Sequence, residues 1–206
     1  MTEQLSSPLH RQRLDADPFQ QFRRWLTDAE QTGIELANAM TLATADRNGK
    51  PAARIVLLRG IDERGFAFFS NYQSRKGQEL EENPFAALVF YWPELARQVR
   101  IEGIVELLSS AESDHYFASR PRGHQLEAHA SAQSQVIASR QCLEQEFNKV
   151  EQQFARRDVP RPPHWGGYRV VPQVLEFWQQ GDHRLHDRLR YRRSEQTGWV
   201  IERLAP

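Results

Sequence analysis

AMTLATADRNGKPAARIVLLR, residues 39–59, places two runs of β-type residues on either side of an Asn-Gly pair. Asn48 and Gly49 both accept positive φ angles, so the pair predicts the tight turn of a β-hairpin. Three further apolar runs follow, GFAFFSN, FAALVFYW and RQVRIEGIVELL, and only one short helical segment, SRKGQELEEN, lies among them. Parallel strands need longer crossover connections, so the sequence predicts a mainly antiparallel sheet, which a closed or partly closed barrel would bury.

Helical patterns flank these strands. DPFQQFRRWLTDAEQTG predicts a helix that Asp17 caps, with Pro18 in its first turn and Gly33 as its stop. Residues 109–157 return to helical spacing, and the chain then ends in the strand-like runs GYRVVPQVLEFWQ, RLRYRRS and WVIERLA. We therefore predict an α+β fold, with a flexible N-terminal segment over residues 1–16 and a single domain over residues 17–206.

Composition excludes several classes of protein. Lys+Arg and Asp+Glu both number 27, which argues against a nucleic-acid binder. Cys142 is the only cysteine, so no intrachain disulfide forms. His183 and His186 lack a third ligand at metal-site spacing, so no metal site is predicted. The longest apolar run, residues 85–92, is far short of the ~20 residues of a membrane span. We expect a cytoplasmic protein that neither enters a membrane nor carries a signal peptide.

The segment NYQSRKGQELEEN, residues 71–83, places two cations at the start of its helix. Ser74 is a good N-cap, and Arg75 and Lys76 then occupy the first helical turn. Cations are unfavourable there, because the free N–H groups already carry partial positive charge. A bound anion such as a phosphate explains the pattern. An exposed, solvated pair of cations explains it equally well.

Two other pairs of residues are candidates for holding a negatively charged ligand. Arg54 and Arg59 stand at the two ends of the run RIVLLR, where each either serves a ligand or reaches solvent at a strand end. Strict alternation places them on opposite faces of the strand unless a bulge intervenes. Tyr116 and Arg120 are four residues apart on a predicted helix. They share a face that suits either a phosphate or an ordinary surface contact.

The segment LEFWQQGDHRLHDRLRYRR, residues 175–193, concentrates cations in a chain of zero net charge. Arg188, Arg190 and Arg192 alternate along a predicted strand and therefore share one face. Arg184 and His186 precede this strand. Arginine orients anions or stacks on rings, and histidine exchanges protons near neutral pH. This pattern is compatible with two interpretations, a solvated strand face and a site for an anionic aromatic ligand.

The same segment closely resembles the C-terminal motif of the pyridoxamine 5′-phosphate oxidase family. That motif reads Leu-Glu-Phe-Trp-Gln, four variable residues and then Arg-Leu-His-Asp-Arg, and residues 175–188 meet every fixed position. The similarity continues in family order through RIVLLRG, FFSNYQSRKGQEL, RQVRIEG, YFASRPR, SAQSQVI, HWGGYRV and ERLAP, so it covers the chain from about Asp17 onward.

The resemblance implies an FMN-binding split β-barrel that works as a homodimer with its flavins at the subunit interface. It implies oxidation of pyridoxamine 5′-phosphate or pyridoxine 5′-phosphate to pyridoxal 5′-phosphate, with O2 as acceptor and hydrogen peroxide released. By position it assigns FMN contacts to Arg54, Ile55, Val56, Leu57, Leu58, Arg59, Phe69, Ser70, Arg75, Lys76, Gln98, Gln133, Ser134, Trp178 and Arg188. It assigns substrate contacts to Arg59, Tyr116, Arg120, His124, Arg184, Leu185 and His186. The catalytic positions are Arg184, which would orient the substrate, and His186, which would assist orientation or proton movement.

Three departures from the family pattern concern the substrate. Arg59 stands where the family usually has a lysine, and His124 stands where it usually has a phosphate-binding serine. The N-terminal segment lacks the family's Arg-x-x-Tyr sequence, which closes over the substrate. Two alternatives therefore stay open. One is a related split-barrel flavin oxidase acting on another substrate, such as the phenazine-biosynthesis oxidases. The other is a non-catalytic binder of FMN or pyridoxal 5′-phosphate.

Overall fold

The structure is a computed structural model, and it describes residues 8–196 and 198–206. These residues contain nine β-strands and five α-helices. The strands are β1 (Ala39–Ala45), β2 (Pro51–Leu57), β3 (Gly60–Asp62), β4 (Gly65–Asn71), β5 (Phe85–Trp92), β6 (Arg97–Leu107), β7 (Trp165–Gln179), β8 (Asp187–Ser194) and β9 (Gly198–Leu204). The helices are α1 (Pro18–Gln31), α2 (Arg75–Glu82), α3 (Ser110–Ser119), α4 (Arg122–Ala130) and α5 (Arg140–Gln153).

The sheet is antiparallel throughout the described residues, as the sequence predicts. β1 and β2 form the expected hairpin, in register from Ala39 opposite Leu57 to Ala45 opposite Pro51. Its turn contains Gly49 at a φ of 79°. The strand order is β2-β1-β5-β6-β7-β4-β3, and β8 and β9 continue from β7. This curled sheet with its flanking helices confirms the α+β split-barrel fold.

β7 is the strand at which the sheet divides. Its first half pairs with β4 over residues 165–170, and its second half pairs with β8 over residues 174–179. β6 pairs with both halves, and the register shifts between Glu102 and Gly103, opposite Pro172. A proline has no N–H for the ladder, so it is tolerated at such a bulge. One continuous strand therefore serves two parts of the barrel.

Helix α1 closes the core with one apolar face. Phe22 is fully buried and contacts Phe66 and Phe90 edge-on, at ring-centroid distances of 5.0 and 4.8 Å. The helix begins where the sequence predicts, because the Asp17 side chain accepts a hydrogen bond from the Phe19 N–H at 2.9 Å. The apolar stripe read from the sequence is thus the face that packs on the barrel.

One strand, β3, and the first residue of another, β7, differ from the sequence-based prediction. β3 has only three residues, too few for the alternation that identifies a strand. β7 begins at Trp165, inside the predicted loop RPPHWGG, because Gly166 and Gly167 pair with β4. Glycine weakens the sequence pattern of a strand. These two residues are in β7 because they pair with β4.

The N-terminal segment is described only from residue 8 onward, so residues 1–7 of the predicted flexible segment lie outside the described residues. The Leu9 N–H donates to the Asp187 carboxylate at 2.8 Å, and the Tyr191 hydroxyl donates to the Asp15 carbonyl at 2.6 Å. The mobility of residues 1–16 stays a prediction. Across residues 8–196 and 198–206, no helix is long and apolar enough to cross a membrane, and no group of three or more His, Cys, Asp or Glu is arranged to hold a metal.

Candidate active site

A cavity of about 610 Å³ opens where β2 and β4 meet helices α2, α3 and α4. Its volume lies within the ~300–1,000 Å³ range of pockets that bind small molecules and cofactors. The lining residues are Ile55, Val56, Leu57, Arg59, Phe69, Ser70, Lys76, Tyr116, Ser119, Arg120, Pro121, His124, Gln133 and Trp165. Residues that the resemblance assigns to FMN and residues that it assigns to substrate phosphate therefore line the same cavity.

The ammonium group of Lys76 is the buried cation of this cavity. Its Nζ donates to Ser70 Oγ and Ser74 Oγ at 3.0 Å each and to Gln133 Oε1 at 2.6 Å. Ser74 also caps α2 by accepting from the Gly77 N–H. Burial, followed by the nearby charge of Arg54, lowers the pKa of Lys76 to about 8. A charge that is costly to bury and lies at a helix N-terminus suits an anionic ligand.

A buried carboxylate behind Lys76 holds two further arginines. Glu79 accepts from Arg54 Nη2 at 3.0 Å, from Arg75 Nε at 2.7 Å and from Thr44 Oγ1 at 2.5 Å. These hydrogen bonds lower the pKa of Glu79 although burial opposes them. The Arg75 side chain is 58% exposed, and neither arginine is among the described residues that line the cavity. Through Glu79, both arginines are thus tied to the helix that carries Lys76.

An aromatic stack forms another part of the cavity lining. The Phe69 ring lies 3.8 Å from that of Tyr116 and 5.6 Å from that of Trp165. The Arg120 guanidinium lies over the Trp165 ring at 4.5 Å. Arg120 Nη1 is buried and has no hydrogen-bond partner among the described residues, and burial lowers the pKa of this group. A buried donor without an acceptor is costly, and an anion bound in the cavity would satisfy it.

A second group of assigned residues surrounds the end of β7 and the start of β8. Gln98 on β6 lies opposite Trp178 on β7, which lies opposite Arg188 on β8. The His186 ring lies 4.9 Å from the Trp178 ring. Leu185 is 71% exposed.

The turn between β7 and β8 orients the two residues assigned to catalysis. His183 and Arg184 both have positive φ angles, 52° and 64°. The Gly181 N–H lies 3.2 Å from His186 Nδ1 and donates to it. Because Nδ1 accepts this hydrogen bond, the proton of the neutral ring is on Nε2. The turn thus presents a defined donor atom rather than a freely rotating ring.

The two groups of residues lie toward opposite ends of β7. Ser70 of the cavity is paired with Gly166, whereas Trp178 of the second group is twelve residues further along the strand. At ~3.3 Å per residue the contour between them is about 40 Å. Of the remaining assigned residues, Leu58 is buried in the core, and Ser134 follows Gln133 at a φ of 72°.

Sequence reasoning missed several residues of this site. Trp165, Ser119 and Pro121 line the cavity but were not predicted. Trp165 lies in a segment that was predicted to be a loop, and no local signal reveals its contact with Phe69. Glu79 is different: it is four residues after Arg75 on one helix, and this spacing is a recognised signal for an ion pair.

Comparison with solved structures identifies the class of this fold. The chain superposes on PhzG from Burkholderia lata, solved in complex with tetrahydrophenazine-1-carboxylic acid, with a TM-score of 0.90 and 32% identity over 98% of this chain and 99% of that one. It also superposes on a pyridoxamine 5′-phosphate oxidase-related, FMN-binding protein from Nostoc punctiforme, with a TM-score of 0.73 and 18% identity over 94% of this chain and 100% of that one. The fold is therefore the split barrel of these proteins.

Sequence comparison identifies the family. Residues 26–154 match the family model described as pyridoxamine 5′-phosphate oxidase, and residues 165–206 match the pyridoxine 5′-phosphate oxidase C-terminal dimerisation region. A pyridoxine/pyridoxamine 5′-phosphate oxidase from Cyanothece sp. is 57% identical over 94% of this chain and 90% of that protein. One from Salinibacter ruber is 55% identical over 99% and 96%. The chain belongs to the pyridoxamine 5′-phosphate oxidase family. It is an FMN-dependent oxidase, and FMN is its cofactor.

Proposed function

We propose that this chain oxidises pyridoxine 5′-phosphate and pyridoxamine 5′-phosphate to pyridoxal 5′-phosphate, with O2 as acceptor. The alcohol substrate loses two electrons and two protons, which convert O2 to hydrogen peroxide. The amine substrate additionally consumes one water and releases ammonia. The observation that carries the proposal is Arg120 in the aromatic cavity: its Nη2 pairs with Glu127 at 3.8 Å, whereas its buried Nη1 has no hydrogen-bond partner among the described residues. A phosphorylated aromatic substrate satisfies both features.

The residues of the main cavity fit FMN. Lys76, the α2 N-terminus, Ser70 and Gln133 would hold its phosphate, because they combine a buried cation with polar side chains at a helix N-terminus. The strand from Arg54 to Arg59 and the ring of Phe69 would line the flavin, while Arg75 and Ser134 would complete the contacts at the rim. When bound, FMN supplies the two-electron redox chemistry that side chains lack.

The substrate contacts would come from both groups of residues. Arg59, Tyr116, Arg120 and His124 line the same cavity and would bind the substrate phosphate. Arg184 would orient the substrate, and Leu185 and His186 would cover it. The Nε2 proton of His186 is the one positioned for donation to substrate, because Nδ1 is engaged with the Gly181 N–H. Alignment and charge placement are thus the contribution of these side chains.

We propose further that the working unit is a homodimer with each site at the subunit interface. Within one chain, the turn that carries Arg184 and the cavity that contains Arg120 lie beyond opposite ends of a long strand. The segment matched by the dimerisation-region model, residues 165–206, includes that turn. A partner subunit would therefore bring Gln98, Trp178, Arg188 and the turn to the first subunit's cavity. The single cysteine, Cys142, supports placing this reaction in the cytoplasm.

The test is turnover by purified protein saturated with FMN. Pyridoxine 5′-phosphate is supplied, and pyridoxal 5′-phosphate and peroxide are quantified together. Equal amounts of the two products, both absent in Arg184→Ala, are the expected result. In that variant the flavin should remain bound, because Arg184 is assigned to substrate and not to FMN. Bound flavin without either product in the unaltered chain would refute oxidation and leave a binding protein.

One observation favours a second candidate, a flavin oxidase of phenazine biosynthesis. PhzG superposes on this chain with a TM-score of 0.90, and Arg59 and His124 depart from the family's usual residues at the substrate phosphate. The same assay with a reduced phenazine carboxylate separates the two. Oxidation of that compound, with none of pyridoxine 5′-phosphate, would assign the chain to the second function.

A further inference from the structure

The motif at residues 175–188 contains a buried acid, Glu176, to which the proposed function gives no task. Its side chain is 8% exposed and projects from β7 on the same face as Trp178. The carboxylate meets Arg188 diagonally across to β8. Arg188 Nε donates to Oε1 at 2.7 Å, and Arg188 Nη2 donates to Oε2 at 3.2 Å. Such a two-pronged contact fixes the plane of a guanidinium as well as its position.

The rest of the Arg188 guanidinium is also engaged. Its Nη1 donates to the Ala205 carbonyl at 2.9 Å, close to the C-terminal end of the chain. The hydrogen bonds to Glu176 raise the pKa of Arg188, so the group is charged at every working pH. Arg100 Nη1 approaches the same carboxylate at 3.5 Å. Each of the three guanidinium nitrogens of Arg188 therefore donates to one of two partners, Glu176 or the Ala205 carbonyl, and its side chain is still 27% exposed.

The neighbouring arginines of this strand are held differently. Arg190 and Arg192 both pair with Glu202 on β9, whose side chain is 31% exposed. Exposed pairs of this kind contribute little to stability. A buried pair is costly to desolvate, and it is better explained by the geometry it imposes than by stability. Glu176 is the buried acid of this face, and it acts on the arginine that the resemblance assigns to FMN.

We propose that Glu176 is a positioning residue that fixes the Arg188 guanidinium for contact with FMN, an inference that rests on the proposed function of Arg188. Arg188 keeps one orientation before the cofactor arrives, so binding does not have to immobilise a long side chain. Losing this preorganisation is expected to weaken FMN binding about tenfold, as one freed side chain with many rotamers would.

The experiment titrates cofactor-free protein with FMN and follows quenching of flavin fluorescence. Glu176→Gln keeps the size of the side chain and removes its charge. Glu202→Gln is the matched control, because it makes the same change in the Arg190 pair on the same sheet face. We expect the FMN dissociation constant to rise about tenfold in the first variant and to stay within twofold in the control.

A double-variant cycle shows whether Glu176 acts through Arg188. Arg188→Ala alone should weaken FMN binding, and adding Glu176→Gln to it should weaken binding no further. Additive effects would overturn the inference, because they would mean that Glu176 merely stabilises the fold. Weakening by Arg188→Ala with no effect of Glu176→Gln would overturn it too, and would leave the proposed function intact.

Two more outcomes complete the test. If Arg188→Ala leaves the FMN dissociation constant unchanged, the assignment of Arg188 to the flavin is wrong and the inference falls with it. Arg188→Lys is the alternative variant if Glu176→Gln does not fold. It keeps the positive charge and removes the planar guanidinium that makes the bidentate contact. Binding as weak as in Arg188→Ala supports a role for the fixed plane, and binding as tight as in the unaltered chain overturns it.

Discussion

Two variants of this chain, Arg120→Ala and Arg184→Ala, are each expected to be inactive alone and to restore activity when their subunits are mixed. Arg120 lines the main cavity, and Arg184 lies in the turn that follows the far end of β7. If the partner's turn completes each cavity, a mixed dimer carries both changes at one of its sites and neither change at the other.

The expected recovery follows from counting sites. Random pairing of equal amounts makes about half of the dimers mixed, and each has one intact site of two, so about a quarter of unaltered turnover returns. Sites contained within one chain would return none. The reverse mixture combines unaltered chain with a chain carrying both changes. Interface sites then leave about a quarter of the turnover, whereas sites within one chain leave about half.

The assay needs complete exchange of subunits. The two proteins are unfolded together, refolded with excess FMN, separated by gel filtration to isolate dimers, and assayed for pyridoxal 5′-phosphate at fixed total protein. Unaltered chain taken through the same refolding sets the reference. No recovery from the two single variants, together with half the reference from the reverse mixture, would refute the interface site.

Three other predictions concern single residues. In fluorescence titrations, Lys76→Met should weaken the binding of FMN about 10- to 100-fold. The binding of riboflavin, which lacks the phosphate, should be unaffected. In the unaltered chain the FMN dissociation constant should rise above pH 8, because phosphate favours charged Lys76, whose pKa is about 8. Hydrogen bonds from Ser109 lower the pKa of Glu112 from 4.5 to about 2, so its stabilisation is complete above pH 4.5 and is lost as pH falls through about 2. Urea unfolding at stepped pH should show that Glu112→Gln removes this dependence. Gly77→Ala should lose flavin on gel filtration, because a Cβ there would lie 2.0 Å from the Tyr72 carbonyl oxygen. The control Gly123→Ala should keep its flavin, because a Cβ at Gly123 meets nothing within 4 Å.

The parts of the fold that sequence reasoning predicts are those with local causes. The hairpin follows from Asn48 and Gly49, and the helix starts follow from Asp17 and Ser74, each of which acts on residues two or three positions away. The branching of β7 has no such local cause. It depends on β4 and β8 pairing with different halves of one strand, which two distant segments of the chain decide. β3 has the same dependence on its neighbour.

The site divides in the same way. The place of Lys76 in the first turn of a helix left an anion ligand and a solvated surface cation equally open, and the structure places Lys76 in the lining of the cavity. Trp165 could not be predicted, because its contacts with Phe69 and Tyr116 join segments far apart in sequence. The contact of Glu176 with Arg188 depends on strand register, and a shift of one residue would turn the two side chains to opposite faces.

The backbone of the turn before β8 has a consequence for the evolution of this chain. His183 and Arg184 are consecutive non-glycine residues with left-handed φ angles of 52° and 64°, and each such residue costs on the order of 1 kcal/mol. Glycine at position 183 would relieve part of this cost and release the orientation of Arg184. Selection for heat resistance alone would therefore favour His183→Gly, which should raise the melting temperature and lower turnover. If Arg184 has the role proposed for it, this turn thus sets a limit on how stable the chain becomes while it remains an oxidase.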